Sequence, residues 1–324
     1  MMRPPTALTI AGTDPSGGAG AQADLKAFTA LGVYGTSVLT ALVAQNTHGV
    51  SRVYDIDTDF VADQFDAVLD DMALDASKTG MLASAALVEL TAARAERLGF
   101  LVVDTVMVAT SGHRLLVEEA VEAMRHALLP VAGLITPNLP EAALLLGDDV
   151  EAARTAAEME DQARALLARG PAAVLLKGGH GAEARVADVL ALSPRLAGGA
   201  EPALVRFDHP RIDTPHTHGT GCTLSAAITA HMARRLLPGD AGGPGAGAAE
   251  ALEPAVREGL DFLARALASG ARWSLPLDPE GAHGPVDHTV DIAAQAPIEP
   301  ARAPVEPAQV PNEAVQAPVE GASR

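Results

Sequence analysis

Positive charge, thiols and aromatic rings are all scarce in this chain, and each scarcity removes a class of function. Lys and Arg total 23 against 41 Asp and Glu, a formal charge of −18. So acidic a chain has no basic face for a phosphate backbone, which excludes nucleic acid as its main partner. Lysine occurs only at Lys26, Lys78 and Lys177, so each invites a reason. A single cysteine, Cys222, forbids an intramolecular disulfide and suits a reducing compartment. No apolar run approaches the roughly 20 residues of a membrane span, and the N-terminus lacks the shape of a signal peptide. Together these absences predict a soluble, cytoplasmic protein with no membrane partner. Aromatic residues make up 3% of a chain that is 48% hydrophobic, so the core must be built from Ala, Leu and Val.

What is present is a recurring strand–turn–helix rhythm. The 324 residues could hold one large α/β domain or two ordinary ones. Thr6 to Gly12 reads as a buried strand, followed by the loop Gly12-Thr-Asp-Pro-Ser-Gly-Gly-Ala-Gly20 and a helix from about Ala21 to Leu31. That loop matches neither a Walker A loop, which needs Lys-Ser/Thr after its last glycine, nor the G-x-G-x-x-G pattern. Its dense glycines, mixed with Asp14 and Ser16, mark it as ligand-facing. Gly35 to Val43 and Ser51 to Ile56 read as strands around a polar turn, Phe60 to Leu69 as a helix, and Ser77 to Leu82 as a short strand and turn. Ser84 is placed to cap a helix reaching about Leu98. Leu101 to Met107 reads as a strand with Asp104 inside it, and Gly133 to Glu141 and Ala172 to Gly179 repeat the design. Strands alternating with helices in this way predict a doubly wound, mostly parallel α/β sheet.

The chain is organised around Asp213-Thr-Pro-His-Thr-His-Gly-Thr-Gly-Cys-Thr-Leu-Ser-Ala-Ala-Ile228. An extended run, Arg211 to Thr214, feeds a turn at His218 to Gly221, then a small-residue helix to about Leu237. Gly219 and Gly221 permit φ > 0 or a close approach of backbone to ligand. A helix start has N–H donors without intrahelical partners and partial positive charge, so this corner suits an anion such as a transferring phosphoryl group. Cys222 stands at that start, where its thiolate is expected to be favoured. Asp104, Asn138, Glu141, Lys177 and the 218–222 turn all follow strands, where ligands bind in open α/β sheets. Lys26 and Lys78 read as surface charges, and His48, His216 and His218 as supports for turns rather than metal ligands. The Pro/Gly/Ala run around Gly239 to Ala249 is a low-complexity loop, a final helix covers about Pro254 to Ser269, and residues 289–324 read as a disordered Pro/Ala/Glu-rich tail.

Six blocks carry a family resemblance: Ala7 to Gly20, Gln22 to Lys26, Thr40 to Thr47, Thr136 to Glu141, Leu176-Lys-Gly-Gly-His180 and Thr217-His-Gly-Thr-Gly-Cys-Thr223. In this order they resemble the hydroxymethylpyrimidine/phosphomethylpyrimidine kinases of thiamin biosynthesis, from about Ala7 to the block His283 to His288. The resemblance implies a ribokinase-like domain over residues 1–288, with a mostly parallel sheet between two helical layers. It also implies a homodimer. The activity it implies is two successive transfers of the ATP γ-phosphoryl, with Mg²⁺: onto the hydroxymethyl of 4-amino-5-hydroxymethyl-2-methylpyrimidine, then onto the monophosphate. Gly219, Thr220 and Gly221 match the motif that cradles the phosphoryl, and Cys222 stands where the family has its catalytic base. Asn138 and Glu141 match the motif that organises Mg²⁺ around the nucleotide, Asp104 joins that region, and Lys177 matches a contact to ATP phosphates. Asp24 and Gln45 match residues that hold the aminopyrimidine, while Gly12, Met81 and Val106 wall its ring. Taken by itself, Asp24 reads equally as a solvated first-turn carboxylate.

Two other readings stay open at this point. A pyridoxine or pyridoxal kinase of the same superfamily also phosphorylates a hydroxymethyl on a flat heteroaromatic ring, although Gln45 and Met81 favour the pyrimidine. A non-catalytic pyrimidine-binding protein on the same fold is opposed by the joint presence of Asp104, Asn138, Glu141, Lys177 and Cys222.

Overall fold

In the computed structural model, residues 3–107, 117–179, 185–236 and 247–292 are described. His180, positions 239–246 of the low-complexity loop and positions 293–324 of the expected tail lie outside them. The sheet has eight strands: β1 (Thr6–Ala11), β2 (Tyr34–Leu39), β5 (Ala76–Thr79), β6 (Phe100–Val103), β7 (Leu134–Ile135), β8 (Ala173–Leu176), β9 (Arg185–Leu192) and β10 (Ala203–Pro210). Their order is β10-β9-β8-β7-β6-β5-β1-β2, parallel from β2 to β8 and antiparallel at β8–β9 and β9–β10. A separate antiparallel hairpin joins β3 (Ala41–Asn46) to β4 (Gly49–Asp55).

Strict alternation of side chains decides the layers. Leu8, Ile10, Leu101, Val103, Ile135, Val174 and Leu176 point into one core. That core is closed by α2 (Thr58–Leu69), α3 (Ala85–Ala92), α4 (Glu118–Ala123), α5 (Leu139–Leu146) and α6 (Ala156–Leu167). Ala7, Phe100, Val102, Leu134, Ala173 and Leu175 point into the other, under α1 (Gly20–Ala30), α8 (Thr220–Arg235) and α9 (Ala248–Gly270). A four-residue helix, α7 (Pro194–Ala197), links β9 to β10. Because both faces are covered, the inner strands read as continuous apolar runs, as parallel sheets require. The expected three-layer α/β/α architecture is present.

Several boundaries differ from the sequence reading, each for a local reason. Gly35 to Val43 is two strands, because the Thr40 N–H bonds to the Ala11 carbonyl (3.1 Å) and its hydroxyl to the Met81 carbonyl (2.9 Å), turning the chain out of the sheet. The strand expected over Leu101 to Met107 stops at Val103, so Asp104 lies at its carboxyl end rather than within it. The helix after Ser84 ends at Ala92, although the Ser84 cap onto the Leu87 N–H is present (3.3 Å). The extended run before the anion turn belongs to neither the sheet nor the hairpin. The last helix starts earlier than Pro254, which sits inside α9. Lys78, read as a surface charge, is wholly buried on β5.

Phe65 of α2 is fully buried, and the Arg94 guanidinium lies 5.3 Å from its ring centroid. Phe65→Ala should lower unfolding free energy by about 3–5 kcal/mol, read as a shift of the urea midpoint without a change in slope.

Candidate active site

Two glycine turns meet at the carboxyl edge of the sheet. Gly219 has φ 79° and stands just before α8, with no side chain capping the helix. The first bond inside α8 runs from the Thr223 N–H to the Gly219 carbonyl (2.8 Å), so the N–H groups of Gly221 and Cys222 precede it. The half-buried Thr220 bonds back through its N–H to the Thr217 carbonyl (3.3 Å). A Cβ on Gly219 would collide with the Gly18 carbonyl oxygen, and one on Gly20 (φ 58°) with the Gly12 carbonyl oxygen. Only glycines let the 12–20 loop and the 217–222 turn lie backbone against backbone.

Asp14 pins the two turns together. Its carboxylate accepts from Ser16 N–H (2.8 Å) and hydroxyl (2.7 Å), Gly18 N–H (3.2 Å) and Ala19 N–H (2.8 Å), with His218 Nε2 at 2.7 Å. Gln45 reaches the same carboxylate from the β3–β4 hairpin. Burial alone would raise the Asp14 pKa, but the bonds from His218, Ser16 and Gln45 outweigh it and hold the carboxyl well below the usual range. Behind the turn, residues 283–288 brace it: the His218 N–H bonds to the Gly284 carbonyl (3.2 Å), and the Gly284 N–H to His216 Nδ1 (3.1 Å). His288 Nε2 lies 2.9 Å from the Thr223 hydroxyl, and burial pushes its pKa down to about 4, so the ring is neutral near pH 7. His216 and His218 thus act as turn supports, as expected.

A second cluster is built at the ends of β6, β7 and β8. Lys177 Nζ lies 3.4 Å from Asp104 Oδ1, and Thr136 and Ser225 hydroxyls donate to Asp104 at 3.2 Å each. A Cβ on Gly221 would lie 3.6 Å from Lys177 Nζ and 3.7 Å from Asp104 Oδ2, so α8 begins directly over this pair. Asn138 and Glu141 form a reciprocal cap at the start of α5: each side chain accepts the other's N–H at 2.9 Å. The Thr105 hydroxyl also donates to Glu141 (3.1 Å). Burial raises the Glu141 pKa and Asp104 adds to it, while Lys177 opposes; burial would lower Lys177, but Asp104 and Glu141 draw it upward.

Near the end of β1, a Cβ on Gly12 would meet the Met81 methyl at 3.2 Å and Val43 at 3.7 Å, so these three form one wall. Val106 is half-buried on the loop just beyond Asp104, tied to it by a backbone bond of 2.8 Å. Asp24 is wholly buried, with Lys78 Nζ at 2.9 and 3.0 Å and the Thr9 hydroxyl at 2.5 Å. That excludes the solvated-carboxylate reading and turns its charge toward Lys78. The thiolate expected at Cys222 is also corrected. Burial pushes its pKa up to about 11, with Asp24 and Asp104 adding to the rise, against the pull of Lys78 and the Gly20 N–H that bonds to it.

The residues that sequence reasoning passed over are Asp14 and Lys78. Glycine density flagged the loop around Asp14 but not its role as the hub, because the partners His218 and Gln45 are distant in sequence. For Lys78 the available signal was rarity: it is one of three lysines, in a strand.

Mg²⁺ takes oxygen ligands and keeps several waters. Among the described residues no group of three or more His, Cys, Asp or Glu could hold a metal by itself. Asp104 nevertheless lies near enough to Glu141 to disfavour the charge of Glu141. The donor set therefore fits an ion held mainly by nucleotide oxygens and water, facing these two carboxylates.

Helix N–H groups, an ammonium and carboxylates gathered at the carboxyl edge of a parallel sheet suit the charge handling of a small-molecule kinase. Residues 14–286 match the sequence model of the Phosphomethylpyrimidine kinase family. The hydroxymethylpyrimidine/phosphomethylpyrimidine kinase of Salmonella typhimurium is 55% identical over 236 residues, 72% of this chain and 85% of that protein. Among solved structures, the ADP complex of Bacillus subtilis pyridoxal kinase matches with a TM-score of 0.70 at 34% identity, covering 88% of this chain and 97% of that one. Phosphomethylpyrimidine kinase from Clostridium difficile matches with a TM-score of 0.65 at 34% identity, covering 81% and 99%. The chain belongs to the phosphomethylpyrimidine kinase family, and its fold is ribokinase-like.

Gly219→Ala should separate the two turns, lowering the thermal midpoint by several degrees and ADP production by at least about tenfold. Asp14, with its depressed pKa, adds stability that is present above the ordinary aspartate value of about 3.9 and fades as pH falls below it. The stability gap between wild type and Asp14→Asn should therefore be full at pH 7 and shrink steadily below about pH 4, measured by urea titration at each pH.

Proposed function

We propose that this chain phosphorylates 4-amino-5-hydroxymethyl-2-methylpyrimidine with ATP and then phosphorylates the monophosphate to the diphosphate, as a kinase of thiamin biosynthesis. The observation that carries this reading is the opening of α8 over Lys177 and Asp104, which places helix N–H donors and an ammonium on one point. In the first transfer the hydroxymethyl oxygen bonds to the γ-phosphorus as the bond to the β–γ bridging oxygen breaks and ADP leaves. Gly221 and Cys222 N–H groups stabilise the phosphoryl oxygens, Lys177 neutralises charge on the phosphates, and the hydroxyl proton passes to Cys222 Sγ. In the second transfer a phosphate oxygen is the nucleophile and has no proton to lose. Asp104 and Glu141, the latter fixed by Asn138, would hold Mg²⁺ through its waters, and the ion would supply charge neutralisation for the nucleotide phosphates. Gln45 from the hairpin, the Gly12–Met81 wall and Val106 would receive the aminopyrimidine, and Asp24 would support it from its buried pair with Lys78.

The hairpin carries Leu42, Val53 and Tyr54 exposed, which supports a homodimer closing over this face. A lone thiol at the site is compatible with a reducing cytoplasm.

ADP release with Mg²⁺-ATP should be seen on the pyrimidine alcohol and on its monophosphate, and more slowly on pyridoxal; best turnover on pyridoxal would overturn the substrate. Cys222 carries its proton near neutrality, so kcat/KM for the alcohol should rise with pH from about 7 toward the thiol's pKa of about 11. Cys222→Ala should flatten that rise and cut transfer to the alcohol by orders of magnitude, with pyrimidine binding retained.

A further inference from the structure

Strand β9 carries a carboxylate inside its apolar run. Asp188 is buried, and its neighbours along the same face of the strand, Leu190 and Leu192, fill the core under α1, α8 and α9. Strands disfavour aspartate, and a carboxylate out of water is costly unless it is bonded. Packing therefore gives no reason for Asp188, but its bonds do. The ladder between β8 and β9 ends at the pair Leu176–Val189. The Gly178 N–H falls just beyond that end, and Asp188 Oδ1 accepts it at 2.8 Å. The other oxygen, Oδ2, meets His209 Nε2 on β10 at 2.9 Å. A carboxylate only accepts, so that nitrogen carries its proton and donates.

The peptide caught in this way is the one that joins Lys177 to Gly178, and two further segments hold its neighbours. The Lys177 N–H bonds to the Pro137 carbonyl at 2.9 Å, on the side of β7. Arg211, in the run that leads to the anion turn, donates to the Gly179 carbonyl at 3.1 Å. Gly178 also lies tight against β9, since a Cβ there would stand 2.0 Å from the Ala187 carbonyl oxygen. From this backbone the Lys177 side chain runs to Asp104, with Nζ 3.4 Å from Oδ1, beneath the start of α8.

We propose that Asp188, backed by His209, is a positioning residue for nucleotide binding: by holding the Lys177–Gly178 peptide it aims the Lys177 ammonium at the phosphates. The proposal rests on Lys177 meeting those phosphates. A lysine charge rides on a flexible four-carbon stem, so it is placed only as well as its two ends are. Asp104 fixes the far end of that stem, and Asp188 fixes the backbone from which it springs.

The probe is the β,γ-methylene analogue of ATP with Mg²⁺, titrated into the full chain by calorimetry, so that no transfer occurs. Lys177→Met and Asp188→Leu should each weaken its binding by about fivefold or more, and the two together by less than about twofold beyond either alone. Affinity for the hydroxymethylpyrimidine, titrated without nucleotide, should be unchanged in Asp188→Leu. A merely structural carboxylate would give additive losses or weaken both ligands alike, and either result overturns the proposal. Weaker binding in Lys177→Met with none in Asp188→Leu also overturns it, and leaves the role of Lys177 standing. If Lys177→Met binds the analogue normally, the contact of Lys177 with the phosphates is wrong and the proposal falls with it. Should Asp188→Leu not fold, His209→Leu on the edge strand β10 takes its place, since its ring is partly exposed. Removing the donor to Oδ2 must then weaken analogue binding by at least about twofold, and only where Lys177 is present. An unchanged affinity there overturns the proposal.

Discussion

The contact on which the site depends is the backbone approach of Gly219 to Gly18, with Asp14 and His218 clamped across it. Each part is needed by the others. Without a side chain at Gly219 the turns can touch, and because they touch, the His218 ring can reach a carboxylate already fixed by the loop's own N–H groups. The start of α8 is thereby aimed by a loop that lies 204 positions earlier at the Asp14–His218 contact. Gln45 joins the same carboxylate, so the hairpin that would receive the acceptor ring and the turn that would receive the phosphoryl share one anchor.

Around that anchor the protein keeps an unusual amount of charge out of water. Asp14, Asp24, Lys78, Asp104 and Glu141 are all buried, and Lys177 nearly so. Each carboxylate is either paired with a lysine or bonded to backbone N–H groups, the two ways in which burial of a charge is tolerated. The exception to simple pairing is Cys222, where burial and two carboxylates favour the neutral thiol. A group held in its protonated form at rest, between lysines and carboxylates of opposing pull, is poised to change state only when the local charge changes.

Much of this was legible in the chain. The alternation of apolar strands with helices announced the parallel sheet, and β-strand ends such as Lys177 and Asn138 fell where the fold puts ligands. Glycine density marked both turns. What sequence left hidden depends on distant partners: Thr40 breaks a strand because of the Ala11 and Met81 carbonyls, and Asp14 becomes a hub through His218 and Gln45. The Cys222 expectation was misled by its helix start alone, since burial and the neighbouring carboxylates decide the balance. The antiparallel strands β9 and β10 went unread because their alternation is interrupted by charged residues such as Asp188 and Arg206.

The proposed acceptor wall and the proposed phosphate cluster are carried by different parts of the chain. Gly12, Val43, Gln45 and Met81 come from the first quarter, on the loop after β1, the hairpin and the turn after β5. Asp104, Asn138, Glu141, Lys177 and Gly221 all come later. The first hundred residues nevertheless also carry Asp14 and Gly18, which fix the turn before α8, so a change there reaches both regions at once. In such a molecule the choice of alcohol would be coupled to the handling of the phosphoryl group, and a new substrate would have to be reached without disturbing that shared anchor.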